Sequence, residues 1–133
     1  MTRKIVPATE AQIQRAFATL YAQAAGPHMI GHSIPNEHIG GKGHIGKLKG
    51  MGLLPGCADW IVWWPGHVAY IEFKAESGKQ SAAQAAFEEA VRAAGGGYCL
   101  ARSPSYALMW LEAVGAPLRR VWRDGALVMR EDG

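Results

Sequence analysis

Glu72 and Lys74 stand two residues apart in the apolar run Tyr70-Ile71-Glu72-Phe73-Lys74. Side chains alternate across a strand, so these two charges share a face with Tyr70, while Ile71 and Phe73 take the other. A carboxylate and an ammonium on one face can hold a cation and steady a phosphate or an attacking water. A lone pair of this kind equally suits a solvated strand face. The chemical reading needs a second acid.

The preceding run, "CADWIVWW", supplies one. It reads as a strand from about Cys57 to Trp64, followed by a strand from about His67 to Lys74. Trp64-Pro65-Gly66-His67 lies between them, and Pro followed by Gly suits the centre of a type II turn. That turn sets the register: Trp64 faces His67, Trp63 faces Val68, and the series runs on to Asp59 facing Glu72. Directly opposed residues have Cβ atoms about 4.5–5.5 Å apart. Two carboxylates at ~5 Å repel by about 3 kcal/mol at an effective dielectric near 20. A hairpin serving only as structure has no use for that cost, and a divalent cation between the acids reverses its sign. Mg²⁺ suits the position, because it takes one or two carboxylates together with waters and phosphate oxygens. Lys74, next along the same face, can reach the cation's water or a phosphate oxygen.

Several elements must hold these residues in place. "PATEAQIQRAFATLYAQAAG" reads as a helix, with Thr9 and Gln12 forming a capping box and Gly26-Pro27 stopping it. Its predicted apolar face is Ile13, Phe17, Leu20 and Ala24. Glu10 falls on the buried side of its first turn. "HMIGHSIPN" reads as a short strand. "SAAQAAFEEAVRAAGG" is a helix capped by Ser81, "GYCLARS" a strand, and "PSYALMWLEAVG" a helix opened by Pro104. "LRRVWRDGALVMRE" is a hairpin turning at Asp124-Gly125. The order predicts one α/β domain with a mixed sheet flanked by helices, its core spanning about 9–114 and a C-terminal hairpin about 117–131.

Composition sets outer bounds. A chain of 133 residues that is 49% hydrophobic can build its own core. Its net charge of +3 permits a polyanionic partner without requiring one. Cys57 and Cys99 have no metal-binding spacing and read as buried free thiols. The chain opens without an apolar signal segment, and no apolar run approaches a membrane span, so a cytoplasmic protein is expected.

The residues "PGCAD" at Pro55 to Asp59 and "EFK" at Glu72 to Lys74 together resemble the PD-(D/E)xK nuclease superfamily. The longer stretch "LKGMGLLPGCADWIV…YIEFKAESGKQSAAQAAFEEAVRAAGGGYCLARS" is similar to the VRR-NUC domain in its compact stand-alone form from phages and bacteria. The resemblance implies a restriction-endonuclease-like core and Mg²⁺- or Mn²⁺-dependent hydrolysis of DNA that leaves a 5′-phosphate. It implies Asp59 and Glu72 as metal ligands, with the Phe73 carbonyl as a third. Glu10 completes the metal site, usually through water, and Lys74 orients the attacking water. Gln84 matches the glutamine of the helix after the ExK strand, with Gln80 as an alternative alignment that fits the helix less well. The resemblance also implies branched DNA, such as a four-way junction, as substrate, a homodimer as the working form, and the bacterial or phage-infected cytoplasm as its place. Ala58 departs from the family, which often has proline directly before the aspartate.

Each residue also has a plainer reading. Glu10 suits the positive end of its helix, and Gln84 suits N3 of a capping box. Glu37 is a rival for the fourth acid. His32, His38 and His44 lack the spacing of a zinc site. Lys42, Lys47 and Lys49 form either a solvated loop or a grip on DNA phosphates. Trp60, Trp63 and Trp64 are expected in the core rather than stacked on bases. A non-catalytic nucleic-acid-binding module of the same fold, or a nuclease of flaps and single-strand ends, stands as the alternative.

Overall fold

The computed structural model describes residues 5–35 and 50–131. Glu37, His38, Lys42, His44, Lys47 and Lys49 lie outside the described residues. The order is α1 (Glu10–Ala24), β1 (Ile30–Ser33), β2 (Trp60–Trp64), β3 (His67–Phe73), α2 (Ala82–Ala93), β4 (Gly97–Ala101), α3 (Pro104–Ala113), β5 (Arg120–Arg123) and β6 (Ala126–Met129). The first four strands form one mixed sheet in the order β1-β2-β3-β4, and β5 and β6 form a separate C-terminal hairpin. β1, β2 and β3 are antiparallel neighbours, whereas β3 and β4 run parallel through the α2 crossover. No helix among the described residues is long and apolar enough to cross a membrane.

The sheet is covered on both faces. Alternation along β2 and β3 turns Trp60, Val62, Trp64, Ala69, Ile71 and Phe73 toward α1 and α3, where they join Phe17, Leu108 and Leu111. On the other face, Tyr70 and Tyr98 pack with Phe87 and Val91 of α2. The hairpin closes on the first layer: Val121 is in that core, Arg119 N–H donates to Ala24 O at 2.9 Å, and Arg123 grips both oxygens of Glu112 at 2.6 Å.

The helix starts follow the local sequence. Thr9 with Gln12, and Ser81 with Gln84, make reciprocal capping boxes, and Ser103 caps α3 with Pro104 in its first turn. The β2–β3 turn is also as expected. Gly66 takes φ +78°, and the ladder pairs Trp64 with His67 and Trp63 with Val68.

Long-range packing changes other details. The buried stripe of α1 is Ile13, Phe17, Tyr21 and Ala24, with Tyr21 in place of Leu20, because Tyr21 stacks edge-on against Trp60. Gly26 is not a left-handed helix cap. Ala25 ends α1 in an extended conformation, and Gly26 is needed because a Cβ there would run into the Pro117 carbonyl. Trp60 and Trp64 are core residues, but Trp63 is 51% exposed, paired with the exposed Ile30 of the edge strand β1. Cys57 lies before β2 and is half-buried, whereas Cys99 is buried in the sheet.

The approach to β2 depends on Gly56. Its φ is +76°, and a Cβ there would strike the Ala83 carbonyl in the first turn of α2. Gly66 is also left-handed but faces open space. Gly66→Ala should therefore cost about 1 kcal/mol of stability in chemical denaturation. Gly56→Ala should cost about 3 kcal/mol, since overpacking adds to the backbone term.

Candidate active site

The candidate residues gather at the C-terminal end of the parallel pair β3–β4, the edge where open α/β sheets place their ligands. β3 carries Glu72 and ends at Phe73, and Lys74 follows with its N–H donating to Ala101 O at 3.0 Å. Arg102 fixes the loop beyond. One guanidinium nitrogen donates to the carbonyls of Ala75 at 2.6 Å and Gly78 at 2.8 Å, with Glu76 O at 3.3 Å. The loop thus leaves β3 along a defined path, and Lys74 stays beside the sheet.

Asp59 reaches the site differently from the expected cross-strand pair. The β2–β3 ladder ends at Trp60 opposite Ile71, so Asp59 and Glu72 are not ladder partners. The Asp59 backbone carbonyl instead accepts from Ile34 N–H at 2.7 Å, and its Oδ2 accepts from Phe73 N–H at 2.7 Å. The carboxylate takes the place of the next rung of the ladder. It still faces Glu72 closely enough for its charge to raise the Glu72 pKa.

Glu72 is the buried centre of the cluster at 1% exposure. Its Oε2 accepts from the Tyr98 hydroxyl at 2.9 Å. Its Oε1 is buried with no hydrogen-bond partner among the described residues. Burial pushes the Glu72 pKa up and Asp59 adds to the rise, while hydrogen bonding from Tyr98, the charge of Lys74 and the nearby Gln80 amide pull it down, with a net upward shift. The Lys74 ammonium lies 3.5 Å from Glu10 Oε1. Glu10 is not on a buried side of α1: its side chain is 51% exposed, against 12% for Lys74, and it reaches the cluster from the solvent edge.

The Gln84 side chain is committed to its helix cap. Its Oε1 accepts from Ser81 N–H at 2.8 Å. Gln80 stands nearer the acids: its amide nitrogen donates to the Tyr98 hydroxyl at 3.1 Å and to Glu88 at 3.0 Å. Tyr98 has no local sequence motif, and only the β3–β4 register, which sets it beside Tyr70, brings it in.

Among the described residues, no three His, Cys, Asp or Glu side chains could hold an ion together. His32 is exposed and contacts the Ser33 carbonyl, so nothing here resembles a zinc cage. Two carboxylates with open coordination for water and substrate do match the demands of Mg²⁺ or Mn²⁺. The orphaned Glu72 Oε1 points the same way. A buried acceptor without a partner costs about 1–3 kcal/mol. Protonating that oxygen only exchanges an orphaned acceptor for an orphaned donor, whereas a cation satisfies it. Asp59 and Glu72 are the two carboxylates that the fold sets beside each other here.

Comparison with known proteins finds no match: no family model, no curated sequence and no solved structure aligns with this chain.

The raised Glu72 pKa has a signed consequence for the metal-free protein. Below the ordinary carboxylate range Glu72 is protonated in both folded and unfolded chains, so its ionisation costs no stability there. As pH climbs through the raised folded value, the unfolded chain ionises first and the Glu72 contribution to stability is lost. In EDTA, Glu72→Gln should melt above the parent at pH 7, by on the order of 1 kcal/mol, and match it at pH 4. Saturating Mn²⁺ should reverse the order at pH 7. Thermal melts of the two proteins across pH test both statements.

Proposed function

We propose that this chain is a metal-dependent, structure-selective DNA endonuclease with a restriction-endonuclease-like core of the VRR-NUC type. The single observation that supports it best is Glu72: a buried carboxylate with one oxygen unpartnered among the described residues, set beside Asp59 and next along the face from Lys74. Structural packing alone gives no reason to bury an acid beside another acid.

In this reading Asp59, Glu72 and the Phe73 carbonyl hold Mg²⁺ or Mn²⁺. When bound, the ion lowers the pKa of its water and neutralises charge on the scissile phosphate. Lys74 donates to the attacking water or to a non-bridging phosphate oxygen as negative charge builds there. Glu10, in contact with Lys74, keeps the ammonium aimed at the acids and holds water at the outer side of the site. Attack opposite the leaving group expels the 3′-oxygen and leaves a 5′-phosphate. Gln84 serves through the cap that fixes the start of α2. Lys42, Lys47 and Lys49 grip backbone phosphates. Two such sites in a homodimer would cut a four-way junction on both strands, and the bacterial or phage-infected cytoplasm would be the place of action.

The test is cleavage of a labelled four-way junction beside matched duplex, flap and single-strand substrates, with Mg²⁺, Mn²⁺ or EDTA. Paired cuts are expected with either metal and none in EDTA. Lys74→Ala should lose about 100-fold or more in rate while still binding the junction. Cuts confined to flaps or single strands would keep the chemistry and remove the junction claim. Junction binding with no cutting under any metal would make the chain a binding module. Neutralising Lys42, Lys47 and Lys49 together should weaken junction binding and flatten its salt dependence by about 2–3 units of slope, read from a binding series in rising NaCl.

A further inference from the structure

A line of side chains connects Glu72 to the surface of α2, and its direction is fixed by chemistry. At the outer end, Arg92 donates to Glu88 Oε2 through two nitrogens at 2.9 and 3.0 Å. Glu88 Oε1 accepts from the Gln80 amide nitrogen at 3.0 Å. Burial alone would raise the Glu88 pKa, but the bonds from Gln80 and Arg92 outweigh it and hold Glu88 ionised. An ionised carboxylate only accepts, so Gln80 must turn its NH₂ and not its carbonyl toward Glu88. The second proton of the same NH₂ goes to the Tyr98 hydroxyl at 3.1 Å. With its oxygen accepting from Gln80, Tyr98 has its own proton to give, and the acceptor within reach is Glu72 Oε2 at 2.9 Å. Arg92 also donates to the Tyr98 carbonyl at 3.3 Å, tying the outer end of the line to β4.

We propose that Tyr98 and Gln80 are positioning residues that commit one oxygen of Glu72 to a hydrogen bond and leave the other, Oε1, as the metal-binding atom. This rests on the reading of Asp59 and Glu72 as metal ligands. Tyr98 fixes the rotation of the carboxylate and holds it from the side away from Oε1. Gln80 fixes the direction in which Tyr98 donates. Neither touches substrate, so their effect falls on metal affinity rather than on the chemical step. The buried ring of Tyr98 also packs at 6.3 Å from Phe87, so Tyr98→Phe keeps the packing and removes the hydroxyl alone.

The experiment is Mn²⁺ titration by calorimetry of the full chain, comparing the parent with Glu72→Gln, Tyr98→Phe and Gln80→Leu. Melting curves in EDTA confirm that each variant folds. The parent should bind Mn²⁺ and Glu72→Gln should lose that site. Tyr98→Phe should bind 10–100-fold more weakly, and Gln80→Leu should fall between it and the parent, because Tyr98 keeps its proton but loses its fixed direction. In nuclease assays the Tyr98→Phe defect should appear as a raised Mn²⁺ half-saturation, with the rate at saturating Mn²⁺ within a few-fold of the parent. Parent-like Mn²⁺ affinity in a folded Tyr98→Phe, with Glu72→Gln still impaired, would overturn the positioning role and leave the metal site standing. If Tyr98→Phe does not fold, Gln80→Leu decides alone, and parent-like affinity there overturns the proposal. A parent that binds no Mn²⁺ would overturn both this inference and the metal reading beneath it.

Discussion

The structure turns on one buried carboxylate. Glu72 sits on the second strand of the β2–β3 hairpin, buried from solvent, and among the described residues only one of its oxygens has a hydrogen-bond partner. Taking such a charge out of water costs several kcal/mol, and a lysine that is itself 12% exposed recovers only part of it. The neighbouring elements limit the loss. β4 brings Tyr98 to Oε2, the turn before β2 brings Asp59 to the Phe73 N–H, and Arg102 holds the loop that follows Lys74. A fold optimised for stability alone would place an apolar side chain at position 72, as it does at 71 and 73.

The two-sided sheet makes that burial possible. One face is a conventional aromatic core in which Phe17 meets Trp60 edge-on at 5.1 Å and Phe73 at 5.3 Å. The other is thinner and is covered by α2, whose Phe87 and Val91 seal Tyr70 and Tyr98. Polar groups enter through this thinner layer, where Gln80 reaches inward from the loop before α2 and Glu88 from the middle of the helix. The strong core supplies stability, and the thin layer carries the strained electrostatics.

How much of this was legible in the sequence follows from the range of each interaction. Short-range signals read well: the Thr9 and Ser81 boxes, Pro104, and the Pro65-Gly66 turn with the register it sets. Asp59, Glu72 and Lys74 could be named because alternation and that register are local rules. Their true geometry was less accessible. Asp59 lies just past the last rung of the ladder, and its carboxylate rather than its backbone meets the Phe73 N–H, a contact that local sequence does not reveal. Tyr21 displaces Leu20, and Gly26 answers to Pro117, through contacts made only when distant segments meet. Tyr98 escaped notice for the same reason, and Gln80 was passed over in favour of Gln84 as the glutamine of the helix. The place of Tyr98 depends on the register of a parallel pair joined by a helical crossover, and no turn chemistry encodes that register.

The central claim is that Asp59 and Glu72 share a divalent cation. A crystal of the parent protein soaked in Mn²⁺, with diffraction collected at a wavelength where manganese scatters anomalously, addresses it directly. The account requires an anomalous peak about 2.1 Å from Glu72 Oε1, bridging to the Asp59 carboxylate, with Tyr98 still bonded to Oε2. A well-ordered site with no peak there at saturating Mn²⁺, or a peak held only by other residues, would contradict it.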